Sequence, residues 1–284
     1  MNQYGYYLGM SQDQKDIVAM VREFAERELD PIVREYDEKS EFPIPLHEKW
    51  GEMGLFGQDV PVEYGGLGLD AVTRYCISEE LAKHDAGFLI SNSCYAFGLS
   101  AILADGTDAQ KRAACDRILR GEGISMAITE PQSGSDVGST RTSAVKVDGG
   151  YILNGTKCFI TNATLCSACV ILAVTDPDAG YHGMSLFLVE KTDSGVSVGK
   201  HEDKMGMRLS DTADFIMENV FVPEDRLIGV LGDGFAQSMK FLAGKRPISV
   251  AGAIGVAQHA LDLAIEYAKQ RKFKDGPIAK LQGI

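Results

Sequence analysis

Apolar positions in the first 120 residues recur at helical spacing. Ile17, Val18, Met20, Val21, Phe24 and Ala25 form one stripe behind Ser11, and Gln14 stands where a capping box places its second member. Pro31 and the Pro43/Pro45 pair punctuate the chain, and a short helix is expected around Glu48 to Met53, carrying the single tryptophan, Trp50. Ile77, Leu81 and Ala82 make a second stripe, and the nearly continuous apolar run from Phe88 to Leu103 predicts a buried helix. Asp105-Gly106-Thr107 breaks the run and leaves Thr107 to cap a helix over 108–119. Residues 1–122 therefore read as a helical domain.

The period changes near Ile124. Ile124 to Ile128, Thr142 to Val147, Tyr151 to Leu153, Lys157 to Thr161, Cys169 to Thr175, Met184 to Val189 and Ala213 to Val222 read as strands. Gly149-Gly150, Asn154-Gly155 and Asp178-Ala179-Gly180 read as the turns between them. Strands this short and dense predict a small antiparallel barrel or sandwich over 123–231. From Gly234 a helical period returns, continuing past Pro247 to about Lys269 with a small-residue face of Ala251, Gly252, Ala253, Gly255 and Ala257. Pro277 is expected to open a further helix, and a helical pair this apolar implies bundle partners in more chain or another subunit. The fold class is α+β, mostly α, with residues 232–284 a partial helical bundle.

The chain has 284 residues, 45% hydrophobic and 24% charged, with a net charge of −12. That balance argues against a nucleic-acid partner and against an anionic membrane surface. No apolar run in the sequence is expected to reach membrane-spanning length, and the N-terminus has neither a secretory nor a transit pattern. Six scattered cysteines suggest reduced thiols and a cytoplasmic location. Cys166 and Cys169 form a Cys-x-x-Cys, but no second pair completes a zinc set and no thioredoxin-like context surrounds them. The five histidines are dispersed without a ligand or triad spacing, so no metal site is expected. Gly65-Gly66-Leu67-Gly68 lacks a preceding βαβ strand and a following Lys-Ser/Thr, so a tight turn fits it better than a phosphate loop.

One stretch carries candidate chemistry. After the strand at Ile124, the sequence Ala-Ile-Thr-Glu-Pro-Gln-Ser-Gly-Ser-Asp-Val-Gly-Ser runs from Ala127 to Ser139. Pro131 stops a ladder, Gly134 frees the backbone, and Ser133, Ser135 and Ser139 supply hydroxyls. A strand ending in such a turn offers N–H groups and hydroxyls to a polar or anionic ligand such as a pyrophosphate. An ordinary polar turn accounts for the same residues.

The order of these residues, small-aliphatic-Thr-Glu followed by small-Gly-Ser-Asp, resembles the acyl-CoA dehydrogenase motif, and the resemblance extends from about Ser11 to Ile284. It implies a helical N-terminal domain, a middle β-domain and a C-terminal helical bundle, with FAD between the last two. It implies that Met126, Ile128, Thr129, Gly134 and Ser135 contact the flavin cofactor, Ser135 serving its pyrophosphate or the CoA ester. In the second matching segment, Asn154 to Asn162, it implies Phe159 against the flavin ring, with Ile160 and Thr161 beside it; many relatives have Trp where Phe159 stands. Lys204 to Thr212 is similar to a mainly structural loop of the family. Leu242 and Arg246 are implied to approach the acyl-CoA. Arg271 and Gln282 match a motif that reaches a neighbouring subunit's FAD, although Phe273 comes one residue early and Lys274-Asp275 interrupt the Phe-Gly step.

The activity implied is α,β-desaturation of an acyl-CoA substrate, with electrons passing to FAD and then to an electron-transfer flavoprotein or similar acceptor. Such a reaction needs a carboxylate base with a raised pKa and hydrogen bonds to the thioester carbonyl. No residue matches either family position for that glutamate; at one of them stands Lys245, and Glu130 belongs to the flavin motif as a structural residue. Three readings stay open: the larger part of an acyl-CoA dehydrogenase, a short non-catalytic relative that binds FAD or acyl-CoA, and an acyl-CoA oxidase. A homotetramer is expected by resemblance.

Overall fold

The computed structural model of the chain describes residues 9–274 and 276–284; Met1–Leu8 and the Asp275 discussed above lie outside them. Ser11 caps α1 (Gln12–Phe24), its Oγ accepting from Gln14 N at 3.2 Å while Ser11 N donates to Gln14 Oε1 at 2.9 Å. A π-helical turn, Ala25–Leu29, extends α1, and α2 (Val33–Lys39) and α3 (Ile44–Glu52) follow. Then come α4 (Ala71–His84), α5 (Ala86–Cys94), α6 (Phe97–Asp105) and α7 (Asp108–Leu119), the last capped by Thr107 through a capping box with Gln110. The apolar faces of α1, α3, α4 and α5 meet around Trp50, Phe24, Leu29, Ile77, Leu81 and Phe88, while α6 and α7 turn theirs to the sheet.

The apolar run from Phe88 to Leu103 is two helices rather than one. The break falls at Tyr95–Ala96 because the Tyr95 carbonyl accepts Ile124 N at 2.9 Å and its ring stacks 5.0 Å from Phe56. The next helix then lies against the first strand so closely that a Cβ on Gly98 would stand 2.4 Å from Ile124.

Eight strands form one sheet: β1 (Ile124–Ala127), β2 (Ser143–Val147), β3 (Gly150–Thr161), β4 (Ala168–Val174), β5 (Met184–Glu190), β6 (Val196–Val198), β7 (Thr212–Pro223) and β8 (Leu227–Ile228). The order is β6-β7-β3-β2-β4-β5-β8, with β1 also on β4. Pairing is antiparallel except that β1 and β2 both run parallel to β4, at Ile124↔Ala168 and Ser143↔Val174. The β5 strand pairs along all of β4, so β1 and β2 share the other edge, and the chain leaves the sheet between them over 128–142. Both faces of β4 are buried: Cys169, Ile171 and Ala173 point into the sheet's own core, while Ala168, Val170 and Leu172 meet Leu99, Ile102, Cys115 and Ile118 of the helices.

Asn154-Gly155 is not a turn. It is a bulge inside β3, where the register against β7 shifts between Leu153 and Gly155 and the Asn154 Oδ1 accepts Asn219 N at 2.8 Å.

Helix α8 (Gly234–Gln270) runs unbroken through Pro247. It packs on α4 where Ala251, Gly252, Gly255 and Gln258 recur on one face, and a Cβ on Gly255 would lie 2.2 Å from the Glu79 carbonyl oxygen. Ala253 and Ala257 of the expected small-residue face point outward with Val250, Ile254, Leu261, Leu263, Ile265 and Tyr267. The helix expected from Pro277 is a single 3-10 turn, Ile278–Lys280. It follows a hairpin of β9 (Lys272–Phe273) and β10 (Gly276–Pro277), closed by Ile278 N donating to Arg271 O at 2.8 Å. The segment 86–105 and α8 are each long and apolar enough to cross a membrane by length and composition, against the sequence expectation; the first is mostly buried in the protein.

Candidate functional site

After β1 the chain passes Ile128 and Thr129 and turns back on itself. Glu130 and Ser133 exchange backbone bonds of 2.9 and 3.0 Å around Pro131, and the segment continues into a 3-10 turn at Val137–Ser139. A buried ion pair ties this excursion to β3. Lys157 Nζ lies 2.7 Å from Glu130 Oε1 and donates to the Ile128 carbonyl at 3.0 Å. The same carboxylate accepts Arg141 N at 2.8 Å and Thr142 N at 3.0 Å, so it holds both ends of the loop. Burial raises the Glu130 pKa, but the Lys157 charge and these hydrogen bonds outweigh it and hold the group down to about 2. Burial lowers Lys157 to about 8 against the pull of Glu130. Glu130 is therefore a saturated, ionised anchor and not a base.

Beyond Lys157 the β3 backbone bulges. Pairing with β7 jumps from Lys157↔Phe215 to Ile160↔Ala213, and Phe159 sits in the left-handed region at φ 57°. That conformation costs a non-glycine residue roughly 1–3 kcal/mol and is found where the surrounding structure imposes it, often at ligand sites. Its effect is to stand the ring out of the sheet, 63% exposed. The bulge is pinned by Cys158 N donating to Thr129 O at 2.9 Å, so the loop after β1 and the bulge in β3 are one unit.

Together they form one wall of a cleft of about 180 Å³. Met126, Ile128, Thr129, Phe159, Ile160 and Thr161 line it from the β-domain, and Leu242 and Phe241 from α8. Cys94 and Phe97 close it from the α5–α6 break. Seven residues singled out in the sequence thus converge on one cleft. Phe97, Phe241 and Cys94 were not foreseen; the first and last lay inside what read as a continuous buried helix, and Phe241 beside the expected Leu242. The Cys94 thiol is pushed up to about 12 by burial.

The other expected residues lie outside this lining. Gly134 and Ser135 are exposed in the loop, and a Cβ on Gly134 would meet nothing within 4 Å. Arg246 is exposed one helical turn beyond Leu242. Arg271 ends α8 and Gln282 is exposed near Ile284. Arg208 is a structural tie, donating to the Asp37 carbonyl at 2.8 Å and to Asp203 at 2.6 Å. Cys166 and Cys169 are buried thiols with Sγ atoms 3.6 Å apart. Among the described residues no group of His, Cys, Asp or Glu is arranged to hold a metal ion, and no carboxylate lines the cleft.

The sequence matches the N-terminal, middle and C-terminal domains of acyl-CoA dehydrogenase over residues 11–122, 125–220 and 232–284. An acyl-CoA dehydrogenase of Bacillus subtilis is 41% identical over 97% of this chain and 73% of its own length. The structure superposes at a TM-score of 0.93 on one described as the electron transferring flavoprotein of Acidaminococcus fermentans, 39% identical over 97% of this chain and 73% of that one. It superposes at 0.88 on an acyl-CoA dehydrogenase from Bacillus anthracis complexed with FAD, 34% identical over 96% of this chain and 48% of that one. Three domain matches in the right order, around a cleft built from the expected flavin segments, lead to one assignment: the chain belongs to the acyl-CoA dehydrogenase family of FAD-dependent oxidoreductases.

Proposed function

We propose that the cleft between β1, β3 and α8 holds FAD beside an acyl-CoA thioester and that the protein dehydrogenates the acyl chain between Cα and Cβ. The observation that carries this reading is Phe159: a strained backbone conformation, fixed by the Cys158–Thr129 bond, that stands an aromatic ring at the mouth of an apolar cleft. The lining fits a flavin. Apolar side chains of Met126, Ile128 and Ile160 suit a flat ring system, and the Thr129 and Thr161 hydroxyls suit its polar edge. Bound FAD would supply a two-electron acceptor for the β-hydride, and the α-proton must pass to a base that none of the cleft's lining residues provides.

In this reading Phe159 packs against the ring, and Thr129 and Thr161 orient it by hydrogen bonds. Gly134 and Ser135, exposed in the loop that Glu130 and Lys157 fasten, serve the pyrophosphate or the CoA ester. Leu242 excludes water from the reacting carbons, and Arg246 meets the CoA ester. Arg271 and Gln282 contact the FAD of a neighbouring subunit in a homotetramer. We assign no base, because the carboxylate of the flavin motif, Glu130, is saturated by Lys157 and two backbone donors. We further place the electrons on an electron-transferring flavoprotein, the description carried by the similar Acidaminococcus fermentans structure, and the protein in the cytoplasm, which six scattered cysteines suggest.

Anaerobic addition of an acyl-CoA panel to the FAD-loaded chain tests the reading. Bleaching of the flavin absorbance is the expected result. Bound flavin that no acyl-CoA reduces would refute catalysis by this chain, and rapid oxygen uptake on aeration would replace the flavoprotein acceptor with an oxidase reaction.

A further inference from the structure

A recess of about 650 Å³ opens between α3, the end of α7 and the turn after β3, within the range of roughly 300–1,000 Å³ that small-molecule sites occupy. None of its lining residues lines the cleft between β1, β3 and α8. Phe56, Tyr95 and His47 give it an aromatic wall: Phe56 stacks on Tyr95 at 5.0 Å, and the His47 ring lies 4.6 Å from Phe56 and 4.4 Å from Tyr95. Ile44, Leu119 and Leu165 complete the apolar lining. Gly51 makes room for this wall, since a Cβ there would stand 2.2 Å from the Phe56 ring. The Tyr95 hydroxyl is spent on the Gly121 carbonyl.

His47 brings an unmet group to this wall. It is 8% exposed, and its Nδ1 lies 2.8 Å from Asn92 Oδ1. Asn92 Nδ2 donates to the Phe88 carbonyl at 2.8 Å, which fixes Oδ1 as the acceptor and therefore Nδ1 as the protonated nitrogen of the ring. Burial lowers the His47 pKa against the Asn92 bond, so the ring stays neutral. Nε2 is then a lone-pair acceptor, and it is buried with no partner among the described residues. A buried acceptor left without a donor is costly. At the rim, Glu48 and Glu52 stand one turn apart on α3, both exposed and neither in an ion pair among the described residues. Arg120, the one cation lining the recess, is taken by Glu122 at 3.0 Å. The unspent charge is negative, and the unmet buried group accepts.

We propose that this recess is a second ligand site and that it takes a phenolic amine, its ring on Phe56 and Tyr95, its hydroxyl donating to His47 Nε2 and its ammonium on Glu48 and Glu52. An anionic ligand would meet two unpaired carboxylates, and a purely apolar one would leave Nε2 without a donor. Aromatic faces suit the ring of such a ligand and add to the attraction for its cation.

The test is calorimetric titration of the unmodified chain with tyramine, with 4-ethylphenol, which lacks the ammonium, and with phenethylamine, which lacks the hydroxyl. Tyramine is expected to bind about tenfold tighter than 4-ethylphenol, the discrimination a charged hydrogen bond gives, and about fivefold tighter than phenethylamine, that of a neutral one. Glu48→Gln/Glu52→Gln changes two exposed positions and should erase the margin over 4-ethylphenol while keeping the margin over phenethylamine. His47→Phe should do the reverse, its thermal unfolding reporting that it folds; the double glutamine variant decides the matter even where His47→Phe does not fold. Tyramine that does not bind, or binds no tighter than either analogue, overturns the site. A margin over 4-ethylphenol that survives Glu48→Gln/Glu52→Gln also overturns it.

Discussion

Replacing Lys157 by Met removes one partner of the buried pair that fastens the loop after β1. Lys157 is fully buried and Glu130 is 4% exposed. Breaking such a pair by deleting one partner costs about 3–5 kcal/mol, since the remaining charge stays buried. Glu130 would keep its bonds from Arg141 N and Thr142 N at 2.8 and 3.0 Å, so the lower end of that range applies, about 3 kcal/mol. At about 2 °C per kcal/mol for a chain of this size, the melting temperature should fall by roughly 6 °C. Glu130→Gln strands the ammonium instead, while the double variant Lys157→Met/Glu130→Gln removes both charges and should recover part of the loss. Urea unfolding of the four proteins gives the coupling energy directly. The pair also fixes the direction of acid sensitivity. Glu130 titrates at about 2 in the folded chain against a usual 4.5, so its contribution is fully present above 4.5 and is lost as pH falls through 2. Glu130→Gln should flatten that part of the stability profile. A Lys157→Met protein within about 1 kcal/mol of the unmodified one, or an unchanged acid limb in Glu130→Gln, would show that the pair does not hold the loop.

Other changes probe other parts of the account. Gly255→Ala sets a Cβ where the Glu79 carbonyl lies 2.2 Å away, so α8 must shift off α4; a loss of about 1–3 kcal/mol is expected in thermal unfolding. Phe159→Gly relieves the positive φ while removing the ring, so FAD affinity should drop several-fold in a fluorescence titration with the melting temperature of the apo-protein unchanged or higher. Thr107→Ala opens the α7 capping box and should cost about 1 kcal/mol in chemical unfolding without altering flavin binding.

The elements that local chemistry specifies were legible in the sequence. Ser11 with Gln14 and Thr107 with Gln110 form the expected boxes, because a cap needs only residues three apart. Residues of the segments 126–129 and 159–161, which the resemblance singles out, line one cleft. What failed depended on partners distant in sequence. The 88–103 run breaks because Tyr95 serves Ile124, and Asn154-Gly155 stays in its strand because Asn154 serves Asn219. Pro277 starts no α-helix because Ile278 closes back on Arg271. The positive φ of Phe159 and the Lys157–Glu130 pair, 27 residues apart, leave no local mark on the sequence. Lys245 was visible only as the residue standing where a base was sought; its place beside Asp59 and Phe97 emerges from the packing of α8.

Hydrogen–deuterium exchange of the chain with and without FAD locates the cofactor on the backbone. FAD is expected to slow exchange in 126–129 and 159–161, the two segments tied through the Cys158–Thr129 bond. FAD that binds while leaving both segments unchanged would show that the cleft is not the flavin site.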